Sequence, residues 1–328
     1  MDIFLQQVIN GLTLGSVYAV VALGYTMVYG IIQLINFPHG EVVMIGAMVA
    51  FSVITSLASA GMPPLVVVML GVSCAVPVCM VVGYAMERLA YRPLRRAPRL
   101  APLITAIGVS IILQHLAMLV WTRNVIAFPQ IITIQTYTVA GATITNVQVA
   151  ILALCVLIMA GLAFLVYRTR LGTAMRATAQ NPQVAGLMGV DVNRVIAATF
   201  VIGAGLAAVA GVMVGTYYGI AQYTMGSVLG LKAFAAAVLG GIGNIPGAML
   251  GGVLLGIVEA LGAGYIGDLT DLCGYAWLAS LLGERCADGG HFILFGSNYQ
   301  DVFAFVVLIL VLVFRPSGLL GERVGDRA

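Results

Sequence analysis

Asn36, Phe37, Pro38, His39, Gly40 and Glu41 put an amide, an imidazole and a carboxylate side by side in the middle of an otherwise apolar run, residues 30–47. Ionisable groups at membrane depth are costly and mark solute or proton pathways by default. These residue types can hydrogen-bond a passing solute, or move a proton through His39 and Glu41. Lys232, the only lysine, also stands in apolar sequence, and Glu259 follows later. Glu41 and Lys232 trail two copies of one short motif by similar distances, so the spacing allows them to face each other as an ion pair. The plainer alternative is a short loop at the membrane surface, with His39 and Glu41 in water.

Other chemistry is poorly served. His39, His115 and His291 are far apart and no Cys-x-x-Cys occurs, so no metal site is expected. A phosphate-binding loop needs Gly-Lys-Ser/Thr at its end, and Lys232 is followed by Ala233. The chain is therefore expected to hydrolyse no ATP and to be no enzyme; any ATP and magnesium would sit on partners. Cys74, Cys79 and Cys155 lie in apolar stretches and read as packing residues. Glu87 reads as a surface ion-pair partner and Glu259 as a residue near an interface.

The elements that hold these residues follow from composition. The chain has 328 residues, 61% hydrophobic and 8% charged, with a mean hydropathy of +1.08. Soluble domains average about 25% charged residues, so lipid must cover this surface. Apolar stretches long enough to span, about 20 residues each, occur near 8–30, 40–60, 64–87, 101–121, 147–167, 195–218, 226–241, 244–263 and 299–314. The pair within 226–263 could include a re-entrant element, which gives an all-α polytopic membrane protein of eight or nine transmembrane helices in a single domain. No Lys or Arg precedes Arg88, so the first apolar stretch is expected to stay rather than be cleaved as a signal peptide.

Charge placement orients the spans. Residues 87–99 hold five arginines, residues 167–194 hold four, and the tail holds Arg315, Arg323 and Arg327. The positive-inside rule makes these regions cytoplasmic. Residues 264–298 carry Asp268, Asp271, Glu284 and Asp288 against Arg285, which suits a periplasmic cap. The N-terminus then lies outside and the C-terminus inside. Cys273 and Cys286 sit in that cap and are candidates for a disulfide, against the alternative of two free thiols. Basic residues confined to loops leave no nucleic-acid footprint.

Tyr29-Gly30-Ile31-Ile32-Gln33 recurs as Tyr218-Gly219-Ile220-Ala221-Gln222, with opposite span directions before the two copies. A polar or Gly-rich break follows each. Pro38 and Gly40 would interrupt a helix. Inverted repeats with broken helices are how many transporters build a central site, so an inverted repeat is expected; chance is the competing explanation. Gly240, Gly241, Gly243, Gly247, Gly251, Gly252 and Gly256 suit close helix packing.

"GLTLGSVYAVVALGYTMVYGIIQLINFPHGEVVMIGA", "ERLAYRPLRRAPRLAPLITAIGVSIILQ", "RTRLGTAMRATAQNPQVAGLMGVDVNRV", "GLKAFAAAVLGGIGNIPGAMLGGVLLGIVE" and "DVFAFVVLILVLVFRPSGLLG" together resemble the Liv-type permeases, the membrane subunits of branched-chain amino acid ABC importers. Relatives of similar pattern serve urea, amides, short carboxylates or aromatic acids. The resemblance implies a second permease subunit, two ATPase subunits, a periplasmic substrate-binding protein and the bacterial inner membrane. It also implies that residues 168–194 form a cytoplasmic coupling loop; the competing explanation is an ordinary connecting loop whose arginines only set topology. Arg176, Asn181, Ala185, Gly189 and Asp191 would belong to that element, with a short helix starting near Pro182. The substrate pathway would include residues 36–41 and Lys232. The competing class is a stand-alone secondary transporter or channel, coupled to protons through His39 and Glu41.

Overall fold

The computed structural model describes residues 2–95, 97, 98, 100–139, 141–266, 300–315 and 317–321. Cys273, Cys286, His291 and the expected cap beyond Ile266 lie outside them.

Among the described residues the apolar stretches are helices: α1 (Asp2–Ile32), α2 (His39–Leu57), α3 (Pro64–Met86), α4 (Leu100–Val120) and α5 (Asn146–Arg168). Two short helices follow, α6 (Arg170–Gln180) and α7 (Pro182–Leu187). Then come α8 (Val192–Tyr218), α9 (Met225–Gly240), α10 (Ile245–Leu261) and α11 (Gln300–Phe314). Seven are long and apolar enough to cross a membrane; α9 and α11 are shorter apolar helices. The chain is an all-α polytopic membrane protein.

Local chemistry sets the ends. Thr145 and Gln148 form a reciprocal capping box at the start of α5. Asn244 accepts from the Gly247 amide at 3.1 Å to start α10. α8 stops at Gly219, whose φ of +68° suits a residue without a side chain. α3 runs through a π-helical turn, Glu87–Tyr91, into Arg92–Leu94.

α1 is the axis of the bundle and packs antiparallel along α10. A Cβ on Gly15 would lie 2.7 Å from the Val253 Cα, and one on Gly256 would lie 2.2 Å from the Gly15 amide nitrogen. Small residues let the two backbones approach, as membrane helices require when apolar burial offers no driving force. α3, α4 and α5 surround this core and present exposed apolar side chains such as Leu65, Val81, Ile104, Leu119 and Leu157. That is the composition of a lipid-facing surface.

The bundle has two faces. On the face where α1 begins, Gln6 bonds Thr143 and the Phe128 amide donates to the Gly219 carbonyl at 2.9 Å. Four short strands lie there. β1 (Ile126–Ala127) pairs antiparallel with β4 (Ile220–Ala221), and β2 (Thr136–Val139) forms a hairpin with β3 (Ala142–Thr145). None of these strands was expected: β1 and β4 join distant loops, which no local pattern shows, and the β2–β3 hairpin is a short local one between two apolar spans. On the opposite face the residues after α11 return to the α9–α10 junction, where Leu319 N donates to Leu239 O at 2.8 Å.

Candidate functional site

The break after α1 is six residues long. Gln33 has a φ of +52°, which ends α1, and Pro38 precedes α2 without a side-chain cap. Gly40 does not interrupt the helix, as its residue type suggests; it lies inside the first turn of α2. Its function is close approach. A Cβ on Gly40 would stand 2.2 Å from the Gly226 carbonyl, and one on Gly226 would stand 2.5 Å from the Gly40 carbonyl. The first turns of α2 and α9, which follow the two copies of Tyr-Gly-Ile-x-Gln, therefore meet backbone to backbone. His39 packs on Gly24, roughly two turns before the end of α1. The start of α2 is thus inside the bundle, not in a surface loop.

The polar groups of the first break are buried. Asn36 accepts from the Tyr91 hydroxyl at 3.0 Å, and His39 meets the Tyr25 ring edge-on at 4.7 Å between centroids. Phe37 packs at 6.3 Å from Phe234. Glu41 is 1% exposed, and its Oε1 accepts from Ser110 at 3.2 Å. Glu41 Oε2, His39 Nε2 and Thr26 Oγ1 have no hydrogen-bond partner among the described residues. Buried polar atoms are almost always satisfied, so these atoms are places where a water or a polar solute would find a partner.

The Gly40–Gly226 crossing gives a first expected result. Gly226→Ala should lower the thermal midpoint, because its Cβ overlaps a backbone carbonyl and overpacking costs about 1–3 kcal/mol. Gly108→Ala, where a Cβ meets nothing within 4 Å, should leave it unchanged or raise it. Thermal unfolding of the two variants in detergent checks this; equal midpoints would mean that the crossing is not tight.

The expected Glu41–Lys232 pair does not form. Glu41 turns toward α4 and Ser110. Lys232 leaves α9 on another side, and its Nζ stands 2.8 Å from Glu259 Oε1, 2.5 Å from Asp301 Oδ1 and 3.2 Å from the Tyr18 hydroxyl. Tyr18 donates to Glu259 Oε2 at 3.0 Å. Glu259 is 1% exposed, so it is packed inside the bundle, in the last turn of α10. Equal spacing after a repeated motif carried no information about which side of each helix a residue occupies. The sequence did hold a signal for Glu259, an acid in an apolar run of a chain with a single lysine; Tyr18 and Asp301 had none. A cavity of about 260 Å³ adjoins this network, with Lys232, Asp301 and Tyr218 among its polar lining and Val214, Met225 and Leu229 among its apolar lining.

The glycines of α9 and α10 serve packing. A Cβ on Gly240 would lie 1.9 Å from the Gly247 carbonyl, and one on Gly251 would lie 2.1 Å from the Ala236 carbonyl. Cys79 and Cys155 are buried, and Cys74 is exposed on α3. No group of three or more His, Cys, Asp or Glu that could hold a metal occurs among the described residues.

Residues 7–312 match the family model described as branched-chain amino acid transport system / permease component. The chain belongs to this permease family. It is 46% identical over 324 residues to the high-affinity branched-chain amino acid transport system permease protein BraD of Pseudomonas aeruginosa, covering 97% of this chain and 96% of that one. It is 43% identical over 326 residues to LivH of Escherichia coli, again covering 97% and 96%. A shorter match, 29% over 120 residues, links it to the xylose transport system permease protein XylH of Escherichia coli and covers 35% of this chain. No solved structure matches.

In this permease the loop between α5 and α8 is ordered by its own polar residues. Arg176 donates to the Val166 carbonyl and lies 5.8 Å over the Tyr167 ring. Asn181 starts α7 by accepting from the Gln183 and Val184 amides at 3.0 and 3.1 Å. Asp191 starts α8 by accepting from the Asn193 and Arg194 amides, both at 3.1 Å. Ala185 is buried, and Gly189, at φ +87°, makes the turn between α7 and α8. Among the exposed side chains that remain, beside Arg168, Arg170, Gln180 and Gln183, are two large apolar ones: Leu187 is 87% exposed and Met188 81%. Glu87 was expected at the surface, yet it is 1% exposed. It pairs with Arg95, which also donates to Asn193 at 2.7 Å and so ties the end of α3 to this loop. A glutamate at the start of a basic loop reads as solvated because sequence does not show that α8 covers it.

Proposed function

We propose that the chain is a translocation subunit of an ATP-driven, binding-protein-dependent importer for branched-chain amino acids. The observation that carries this is similarity along nearly the whole chain to two high-affinity branched-chain amino acid permeases, BraD and LivH. The Arg-rich face, with residues 168–194, is the cytoplasmic side of the inner membrane, and the face where α1 begins is periplasmic. ATP and magnesium act on two ATPase subunits, since the chain has no phosphate-binding loop. A second, related permease subunit completes the pathway, and a periplasmic binding protein delivers the solute. The exposed apolar tip of α7 docks on an ATPase, and its movement shifts the permease between two access states. The helix starts that meet at Gly40 and Gly226, with His39 and Glu41 beside them, are the part of the pathway that rearranges.

The chain should co-purify with ATPase subunits when expressed with its partner subunits. Vesicles holding that complex and its binding protein should accumulate leucine, isoleucine and valine on addition of ATP. Accumulation of urea or amides instead would overturn the substrate assignment. The unpartnered Glu41 Oε2 and His39 Nε2 favour a second reading, a stand-alone carrier driven by protons. In that case the chain alone, in vesicles with a pH gradient and no ATP, would accumulate solute.

A further inference from the structure

The cavity beside Lys232 has an unusual charge arrangement. Lys232 and Asp301 have side chains 7% and 38% exposed, and both line it. Glu259, 1% exposed, already neutralises Lys232 from the other side. Asp301 is thus a surplus anion on a separate helix. The three Lys232 donors are fully used by Glu259, Asp301 and Tyr18, so no new anion can join unless a partner leaves. The partner that can leave is Asp301, the more exposed of the two carboxylates. The rest of the wall is mostly apolar, with Gln222 and the Tyr18 and Tyr218 hydroxyls as its uncharged polar groups, and the volume of about 260 Å³ is far above the ~10–15 Å³ that one water needs.

From this we infer that the cavity is a transit site for the zwitterion of a small α-amino acid with an aliphatic side chain. The solute inserts between Lys232 and Asp301. Its carboxylate takes the place of Asp301 on Lys232, its ammonium takes the place of Lys232 on Asp301, and its side chain lies against Val214, Met225 and Leu229. One ion pair becomes two, and no charge is left unpaired before or after entry. A lone buried charge is costly, so a solute carrying only the carboxylate would strand Asp301; one carrying only the ammonium would take Asp301 from Lys232, which stays paired with Glu259 but is left with one N–H donor that has no acceptor. An uncharged solute would offer neither residue a partner of opposite charge. Asp301 is then the specificity residue for the ammonium, Lys232 binds the carboxylate, and Glu259 and Tyr18 position Lys232. The inference rests on the amino-acid permease reading, and it adds a selection step on the membrane subunit itself.

The test uses the full chain in its purified complex, without binding protein and in a detergent free of aminophospholipid, so that a lipid headgroup cannot occupy the site. Ile220 lines the cavity and is 47% exposed. In an Ile220→Cys variant, alkylation at that position is followed by mass spectrometry. Leucine at about ten times its dissociation constant should slow labelling about tenfold. At the same concentration 4-methylpentanoate, which lacks the ammonium, and 3-methylbutylamine, which lacks the carboxylate, should not. Adding Asp301→Asn should abolish the protection and Asp301→Glu should keep it. Labelling indifferent to leucine, or equally slowed by 4-methylpentanoate, overturns the site; the comparison of the three ligands needs no second variant to fold. Adding aminophospholipid should leave the labelling rate without leucine unchanged, and a lipid that protects as leucine does overturns the assignment. Leucine uptake by the wild-type complex is measured separately. Uptake without protection defeats the site and leaves the transport reading standing. Protection without uptake does the reverse.

Discussion

Lys232→Met should remove most of the folded protein from the membrane, and adding Glu259→Gln to it should restore a large part. The single substitution leaves Glu259 buried beside Asp301 with no cation near either among the described residues. Breaking a buried ion pair by removing one partner costs about 3–5 kcal/mol, a large share of the roughly 5–15 kcal/mol by which domains are stable. Glu259→Gln alone should be milder. It leaves Lys232 its contact with Asp301 at 2.5 Å, and the amide can still bond Tyr18. The order of damage, Lys232→Met worst, the double variant intermediate and Glu259→Gln least, is what a three-membered network with one cation predicts. Fluorescence size-exclusion yield and the thermal midpoint of the three variants measure it. A double variant no better than Lys232→Met would show that the cost is lost packing rather than a stranded charge. Glu259→Gln as harmful as Lys232→Met would remove Asp301 from the network.

Much of the scaffold was legible because each span is a long apolar run bounded by breakers. The run read as 64–87 is the helix Pro64–Met86, and 147–167 is Asn146–Arg168. The first helix begins earlier than its apolar run, at Asp2, because Gln6 finds Asn10 and Thr143 as partners and so keeps a polar turn helical. The site was legible in part. The residue types of 36–41 pointed to buried polar chemistry, and His39 and Glu41 are buried with unpartnered atoms. Partner choice was not legible. Gly40 looked like a helix breaker, yet its role is set by Gly226, far away in sequence. Lys232 looked like the partner of Glu41, yet rotation about α9 gives it to Glu259 and Asp301. A short motif fixes where a helix starts; which neighbour a side chain meets depends on how helices from both halves of the chain cross.

The coupling loop extends that argument to function, because its polar residues and its exposed residues have separate work. Arg176, Asn181 and Asp191 spend their side-chain bonds on loop geometry, so their removal should act through the loop's stability. Asn181→Ala, for example, loses an N-cap worth about 1 kcal/mol. The docking energy should come instead from Leu187 and Met188, which project from the end of α7 with 87% and 81% of their surface exposed. Leu187→Asp together with Met188→Asp should leave folding intact, since surface substitutions stay within about 0.5 kcal/mol. Apolar anchors at the centre of an interface contribute about 2 kcal/mol or more, and each 1.4 kcal/mol is about tenfold in affinity. The double variant should therefore release the ATPase subunits on size exclusion and abolish ATP-driven leucine uptake, with an unchanged thermal midpoint for the permease. Asn181→Ala should show the opposite pattern, a lowered midpoint with the ATPase subunits retained. A Leu187→Asp, Met188→Asp complex that stays assembled and still transports would mean that α7 is not the contact, and that the energy of hydrolysis enters this permease through another surface.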